Sequence, residues 1–237
     1  MEIGGIRACF FDVFGTVVDW HSSVSDDLAA FAATKGVSGV DWVHFTEDWR
    51  RLYNPAMEEV RSGRREWTVL DVLHREALVD LLDRYELSAF SDDDIDHMNR
   101  AWHRLDPWPD AVPGLSLLKA KYVIAPCSNG NVALIVDMAK RVGLPWDVVL
   151  GAEPTRSYKP MPEAYLGSCR MLGMAPSEVL MVAAHNYDLD AARECGLSTA
   201  FVPRRTERDR EAGPDVDLAV DDFVDLATKL GCVGGTA

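Results

Sequence analysis

Residues 10–20, FFDVFGTVVDW, decide the fold, because in them a single acidic residue ends an apolar run. The largely apolar run 6–11 predicts a short buried strand, and Asp12 followed by Gly15-Thr16 predicts the turn that leaves it. Open α/β sheets bind ligands at the carboxyl ends of their parallel strands, so a carboxylate there is a candidate nucleophile. Alternatively, Asp12 only caps the turn, and this segment leaves both interpretations open.

In three later segments, polar residues follow an apolar run or lie in a loop. Residues 122–131 form a strand-like run whose last residues can present a hydroxyl, an amide and backbone N–H groups to an anion. Residues 157–165 place a lysine in a loop before a helical stretch, and residues 179–190 break from a buried strand into polar residues. Each segment alone is weak evidence, but their order along the chain favours a shared site. The polar residues concerned are Ser128, Asn129, Lys159, Tyr165, His185 and Asp188.

The order of predicted elements indicates the fold class. Residues 19–104 contain no convincing strand and are rich in apolar residues at helical spacing. After them, strands alternate with helical stretches, which predicts an α/β protein with a Rossmann-like, doubly wound parallel sheet. The predicted later strands lie near 121–127, 147–151, 179–183, 199–202 and 216–220.

Composition excludes several partners. The 237 residues are 48% hydrophobic and carry a net charge of −14, which argues against nucleic acid or an anionic membrane as partner. No apolar segment is long enough to span a bilayer, and residues 1–5 do not read as a secretory signal. The five cysteines form no CxxC pair, so we expect reduced thiols and a cytoplasmic protein.

Together, the FDxFGT segment, the Ser-Asn, the lysine and the last aspartate resemble the haloacid dehalogenase superfamily of hydrolases across nearly the whole chain. The run 17–22, the turn 128–130 and the segment 158–165 resemble more closely its type II (S)-2-haloacid dehalogenase branch, including haloacetate and fluoroacetate dehalogenases. The resemblance implies a catalytic core of residues 1–18 and 105–237, with a helical cap inserted at residues 19–104.

Two positions depart from the phosphatases of this superfamily. Those enzymes carry a second aspartate two residues after the nucleophile as general acid, and here Phe14 stands there. They also carry an acidic Mg²⁺ ligand at the position of Ala184 or, with a one-residue slip, His185. Because Mg²⁺ requires oxygen ligands and a halide leaves without protonation, we expect a metal-independent dehalogenase without a cofactor.

The resemblance implies a role for each residue of the catalytic set. Asp12 would attack C2 of a 2-haloalkanoate, expel halide and form an ester, which water then hydrolyses with one inversion at C2. Thr16 would hold the Asp12 carboxylate or the oxyanion of the second step. Lys159 would keep Asp12 ionised, and Asp188 would position Lys159 and the water.

A second set is expected to bind the substrate. Ser128 would grip the substrate carboxylate, Asn129 would donate to the leaving halide, and Tyr165 is included as a binding residue. The family also supplies a cap arginine, matched by Arg50 with Arg51 adjacent; the alternative is a surface arginine. Trp20 lines the substrate pocket in one interpretation and packs the hinge in the other.

His185 is an imidazole where many type II enzymes have an amide. It is either the base for ester hydrolysis or a donor to halide or carboxylate, unless it is a structural histidine satisfied by Asp188 or a backbone carbonyl. The charged run 204–211 is interpreted as a solvated loop.

The expected partners are a small halocarboxylate and water, and a homodimer is left open. Alternative functions are a phosphatase of small phosphate esters, a hydrolase of a strained-ring carboxylate such as azetidine-2-carboxylate, or a catalytically silent binding module.

Overall fold

The computed structural model describes residues 4–233, so residues 1–3 of the segment considered for a signal lie outside it, as do residues 234–237. The chain divides into two compact units. One comprises the chain up to Asp19 and again from Pro107, and the other is Trp20–Asp106. The sequence of the second unit is therefore inserted into that of the first.

The first unit is an α/β unit, built around β1 (Ala8–Phe11) and entered again after the second unit. The predicted Rossmann-like fold class is confirmed, because six parallel strands form one sheet with helices between them. Two further strands of two residues each, β2 (Val18–Asp19) and β3 (Asp106–Pro107), lie where the chain leaves and re-enters this unit. The elements that follow are α5 (Ala111–Lys119), β4 (Val123–Ser128), α6 (Val132–Val142), β5 (Leu150–Gly151), α7 (Ala152–Thr155), α8 (Pro162–Met171), β6 (Val179–Ala183), α9 (Asn186–Glu194), β7 (Ser198–Phe201), β8 (Leu218–Ala219) and α10 (Phe223–Lys229).

The strand order β5-β4-β1-β6-β7-β8 places β1 in the middle of the sheet. Phe10 lies level with Ala125 of β4 and Met181 of β6, and all four residues of β1 are buried. Such near-continuous apolar strands are typical of a parallel sheet covered on both faces. Since β1, β4 and β6 run in register, the residues that follow their carboxyl ends meet at one edge of the sheet.

The second unit is helical. It consists of α1 (Trp20–Thr34), α2 (Trp42–Arg61), α3 (Leu70–Arg84), α4 (Asp92–Asn99) and a short 3₁₀ turn (Arg100–His103). Each helix buries one face, as the spacing of apolar residues predicts. Among the fully or almost fully buried side chains are Leu28, Phe45, Trp49, Met57, Leu78 and Trp102.

Local signals fix where these helices begin. The Asp41 side chain accepts the His44 N–H at 3.0 Å, and Ser91 forms a capping box with Asp94 at the start of α4. In residues 4–233, no helix combines the length and the apolar character that crossing a bilayer requires.

Candidate active site

Asp12 lies directly after β1, and both of its carboxylate oxygens are engaged. The Thr16 hydroxyl donates to Oδ2 at 2.8 Å, and the Lys159 ammonium donates to Oδ1 at 2.9 Å. Nδ1 of His185 lies 3.1 Å from Oδ2. The carboxylate is thus held by three side chains while 7% of the residue stays exposed.

The surroundings of Asp12 keep it ionised. Burial alone would raise the pKa of the Asp12 carboxyl group, but the charge of Lys159 and the hydrogen bond with His185 hold it well below its usual range. Asp12 is therefore an anion at any physiological pH. An ionised carboxylate in a nearly dry site is a competent nucleophile.

The turn after Asp12 depends on a glycine. Gly15 has φ +85°, and its N–H donates to the Val18 carbonyl at 3.0 Å, closing the turn. The turn brings the Thr16 hydroxyl back onto Asp12, and the same hydroxyl accepts the Ala184 N–H at 2.9 Å. Thr16 therefore fastens the nucleophile to the residue that follows β6.

Lys159 is the buried cation of the site. Its ammonium bridges Asp12 and Asp188, and its backbone N–H donates to Oδ1 of Asn129 at 2.7 Å. Burial would lower the pKa of Lys159, but the charges of Asp12 and Asp188 raise it well above its usual value. The lysine is consequently a fixed positive charge.

Tyr165 acts behind Asp188. Its side chain is fully buried and its hydroxyl donates to Oδ1 of Asp188. Burial and the Asp188 charge raise the pKa of Tyr165, so it stays a donor. The Tyr165 hydroxyl thus helps to orient Asp188, and the substrate-binding role of Tyr165 stays a prediction from the sequence.

The turn after β4 offers an amide to a ligand. Because Oδ1 of Asn129 accepts from the Lys159 N–H, the NH₂ group is the donor that this side chain has left for a ligand. The Ser128 hydroxyl is fully buried and accepts the Gly130 N–H at 3.0 Å. The first N–H of α6, at Val132, is capped by the Glu153 carboxylate at 2.6 Å.

His185 is held between two carboxylates. Nδ1 faces Asp12, and Nε2 lies 2.8 Å from Oε2 of Glu207. Burial disfavours the imidazolium, but hydrogen bonds to Asp12 and Glu207 outweigh it and raise the pKa of His185 to about 10. Since both ring nitrogens are occupied, the arrangement disfavours His185 as a halide donor. The expected structural partners, Asp188 or a backbone carbonyl, are not the ones observed.

The prediction of a solvated loop at 204–211 is wrong for two of its residues, because Arg204 and Glu207 are 7% and 8% exposed. The Arg204 guanidinium donates to the Thr16 carbonyl at 2.8 Å and to both carboxylate oxygens of Asp110 at 2.6 and 2.9 Å. Sequence reasoning missed Glu207 as a site residue. The sequence signal that could have identified Glu207 is its position in the loop that follows β7, at the same edge of the sheet as Asp12.

The second unit distinguishes the two candidate arginines. Arg51 is exposed and ion-paired with Glu47 and Asp48, as a surface arginine is. The Arg50 guanidinium instead lies 3.9 Å from the Tyr53 ring centre and 5.3 Å from that of Trp20. Among residues 4–233, its buried Nη1 has no hydrogen-bond partner. Arg50 is therefore the one with an N–H to offer an anion, and Trp20 forms part of its aromatic surroundings.

Phe14 stands where phosphatases have their general acid, and Ala184 is one of the two candidate positions for their Mg²⁺ ligand, the other being His185. Phe14 is 3% exposed and Ala184 is fully buried. Neither side chain has an oxygen to bind a cation or a proton to give a leaving group. Over the described range 4–233, no group of three or more His, Cys, Asp and Glu side chains is arranged to hold a metal ion.

A parallel sheet with an ionised aspartate at the end of its central strand, and a buried lysine on that aspartate, defines a hydrolase with an aspartate nucleophile. Comparison with known proteins gives the family. The model of the haloacid dehalogenase-like hydrolases matches residues 6–196, and the chain belongs to that family.

The similar proteins include dehalogenases. An (S)-2-haloacid dehalogenase, 4A, of Burkholderia cepacia is 30% identical over 86% of this chain and 85% of its own. The crystal structure of a defluorinating L-2-haloacid dehalogenase is 44% identical, covers 95% of both chains and superposes with a TM-score of 0.91. The Xanthobacter autotrophicus L-2-haloacid dehalogenase with chloropropionic acid covalently bound is 27% identical, with a TM-score of 0.81 and coverage of 98% and 100%.

Proposed function

We propose that this protein hydrolyses short 2-haloalkanoic acids to 2-hydroxy acids through an ester on Asp12, with inversion at C2. The observation that carries the proposal is that Asp12 is ionised while the residue two positions later is the buried Phe14. A phosphatase of this superfamily needs a general acid at that position. Halide leaves as a stable anion, so its expulsion requires no proton. The similar (S)-2-haloacid dehalogenases support the same substrate class.

In the first step, an Asp12 oxygen attacks C2 of the substrate in line with the carbon–halogen bond. The carbon–oxygen bond forms with the carboxylate electron pair, and the halide leaves with the pair of the broken bond. The developing halide charge needs donors, and from the sequence we assign this role to Arg50 and to the NH₂ group of Asn129. Ser128 and its neighbouring amides would hold the substrate carboxylate, and Trp20 would border the pocket beside Arg50.

In the second step, water adds to the carbonyl carbon of the Asp12 ester. The resulting oxyanion develops beside the donors that hold Asp12 in the resting protein, Thr16 and Lys159. Collapse of the intermediate breaks the bond between that carbon and the ester oxygen, releasing the 2-hydroxy acid and restoring Asp12. Because attack at C2 occurs once, the configuration inverts once.

The test is chloride release from (S)-2-chloropropionate by the purified protein in the presence of EDTA. We expect release by the native protein and none by Asp12→Asn, whose amide is a poor nucleophile. p-Nitrophenyl phosphate with added Mg²⁺ serves as the competing substrate. Hydrolysis of the phosphate ester without chloride release would contradict the proposal and support the phosphatase alternative. Release of both halide and phosphate, or of neither, would also contradict it.

The preferred halide and chain length are decided by a panel of fluoro-, chloro- and bromoacetate and the matching 2-halopropionates. A cytoplasmic location and a homodimer stay predictions from the sequence.

A further inference from the structure

Glu207 has no assigned role in the reaction, yet it is one of the least exposed carboxylates of the chain. The Oε2 atom bonds Nε2 of His185, on the side of the ring opposite Asp12. The carboxylate also lies over Gly15: a Cβ built there would be 2.4 Å from Cδ and Oε1 of Glu207. Glu207 is therefore packed between the nucleophile turn and the imidazole.

The segment that carries Glu207 is anchored. Arg204 fastens the start of the segment to the Thr16 carbonyl and to Asp110. The Glu207 N–H donates to the Arg204 carbonyl at 3.1 Å, which closes a turn. Further along, Asp209 accepts the N–H of Asn186 at 2.7 Å. The position of the Glu207 carboxylate is thus set by contacts on both sides.

We propose that Glu207 is the positioning residue for ester hydrolysis, holding His185 so that Nδ1 faces the Asp12 carbonyl carbon and takes the proton of the attacking water. This inference rests on the proposed function. Esterification of Asp12 removes one of the two negative charges on His185, whereas the contact with Glu207 persists. The ring then stays in place and becomes easier to deprotonate.

Once Asp12 is esterified, the His185 imidazolium first releases its Nδ1 proton to solvent, and it takes one up again when the Asp12 carboxylate is restored. Water donates an electron pair to the ester carbon and one proton to neutral Nδ1 of His185. When the intermediate collapses, that proton passes from Nδ1 to the departing alkoxide oxygen of the 2-hydroxy acid. The second water proton remains on the restored Asp12 carboxyl group and leaves to solvent, since Asp12 is a strong acid in this site.

The pH dependence follows from the groups around the imidazole. The titratable groups that face His185 are Asp12 and Glu207, with the Tyr187 ring centred 5.6 Å from its own and Lys159 beyond Asp12. Both carboxylates raise the pKa of His185, and Asp12 loses its charge in the ester. The remaining charge of Glu207 therefore sets the pH above which the ester is hydrolysed fastest.

Single-turnover rapid quench of Glu207→Gln with (S)-2-chloropropionate tests this role. We expect the halide burst to stay within about threefold of native and 2-hydroxy acid formation to slow about 10- to 100-fold. The Asp12 ester should accumulate as a mass increase on the intact protein. Without the Glu207 carboxylate, the pH at which the rate of ester hydrolysis rises should be lower than in the native protein by about one unit or more. Glu211→Gln, the same change at an exposed residue of the same segment, should behave as native.

Glu207→Asp keeps the charge on a shorter side chain, so we expect this variant to hydrolyse the ester faster than Glu207→Gln does. If Glu207→Gln fails to fold, Glu207→Asp still tests the role by comparison with the native protein. Equal slowing of the burst and of product formation in both variants would overturn the inference, as would native behaviour of both. A native protein that gives no halide burst at all would instead overturn the proposed function.

Discussion

Replacing Arg204 by methionine should destabilise the protein strongly although the residue lies in a charged run. The side chains of Arg204 and Asp110 are 6% and 13% exposed, and the change leaves Asp110 buried without its cation. Breaking such a pair costs about 3–5 kcal/mol, and the lost hydrogen bond to Thr16 adds about 1 kcal/mol. Asp110 keeps the hydrogen bond from the Phe223 N–H at 2.9 Å, which offsets about 1 kcal/mol of this cost, so we expect a total of about 3 kcal/mol.

Thermal unfolding measures this loss. With an unfolding entropy near 2.1 cal/mol/K per residue, the 237 residues give about 0.5 kcal/mol/K, so about 3 kcal/mol corresponds to a Tm lower by about 6 °C. The matched control is Arg205→Met, because Arg205 is 76% exposed and its loss should cost at most about 0.5 kcal/mol. Equal Tm values for the two variants would refute the reasoning.

The stability lost in Arg204→Met should depend on pH through the ionisation of Asp110. Burial would raise the pKa of Asp110, but the hydrogen bonds and charge of Arg204 lower it below its usual value. A carboxyl group with a lowered pKa in the folded state stabilises the protein above its unfolded pKa, and this contribution disappears as the pH falls through the folded value. The Tm difference between the native protein and Arg204→Met should therefore shrink below about pH 4. A difference that grows on acidification would contradict this assignment.

Two further predictions concern catalysis and one concerns the stability of the site. Arg50→Lys should lower turnover of 2-chloropropionate about tenfold or more, because it removes a fixed planar donor, whereas Arg51→Lys should leave it near native; steady-state chloride release compares them. Tyr165→Phe should cost about 1–3 kcal/mol of stability by leaving an oxygen of Asp188 without its donor, and unchanged urea unfolding would contradict this. The native protein should convert (S)-2-chloropropionate to (R)-lactate after dialysis against EDTA, so a racemic or retained product on chiral chromatography, or activity lost with EDTA and restored by Mg²⁺, would argue against the mechanism.

The sheet and its polar strand ends could be predicted because they depend on local signals. An apolar run that stops at Asp12 or Ser128 identifies a buried strand and its carboxyl end within a few residues of sequence. Parallel pairing then brings these ends to one edge without any further information. The predicted strands near 147–151 and 216–220 proved shorter, as β5 and β8, because edge strands pair on one side only.

Glu207 could not be predicted in the same way. Its partners are 22 residues away at His185 and, through Gly15, at the other end of the chain. A run rich in Arg, Glu and Asp is typical of a solvated loop, and composition does not reveal that two of its charges turn inward. For the choice between Arg50 and Arg51, by contrast, the sequence contains a signal in the helical spacing. On α2, Arg50 is three residues before the buried Tyr53 and so shares its face, whereas Arg51 does not.

The central claim, that Asp12 carries the substrate as an ester, is tested most directly by one turnover in ¹⁸O-water with enzyme in excess over (S)-2-chloropropionate. Water attacks the Asp12 carbonyl carbon in this account, so mass spectrometry should find ¹⁸O in the Asp12 peptide and none in the lactate. Label in the lactate with an unlabelled Asp12 peptide would mean that water attacks C2 directly, and the covalent mechanism would be contradicted.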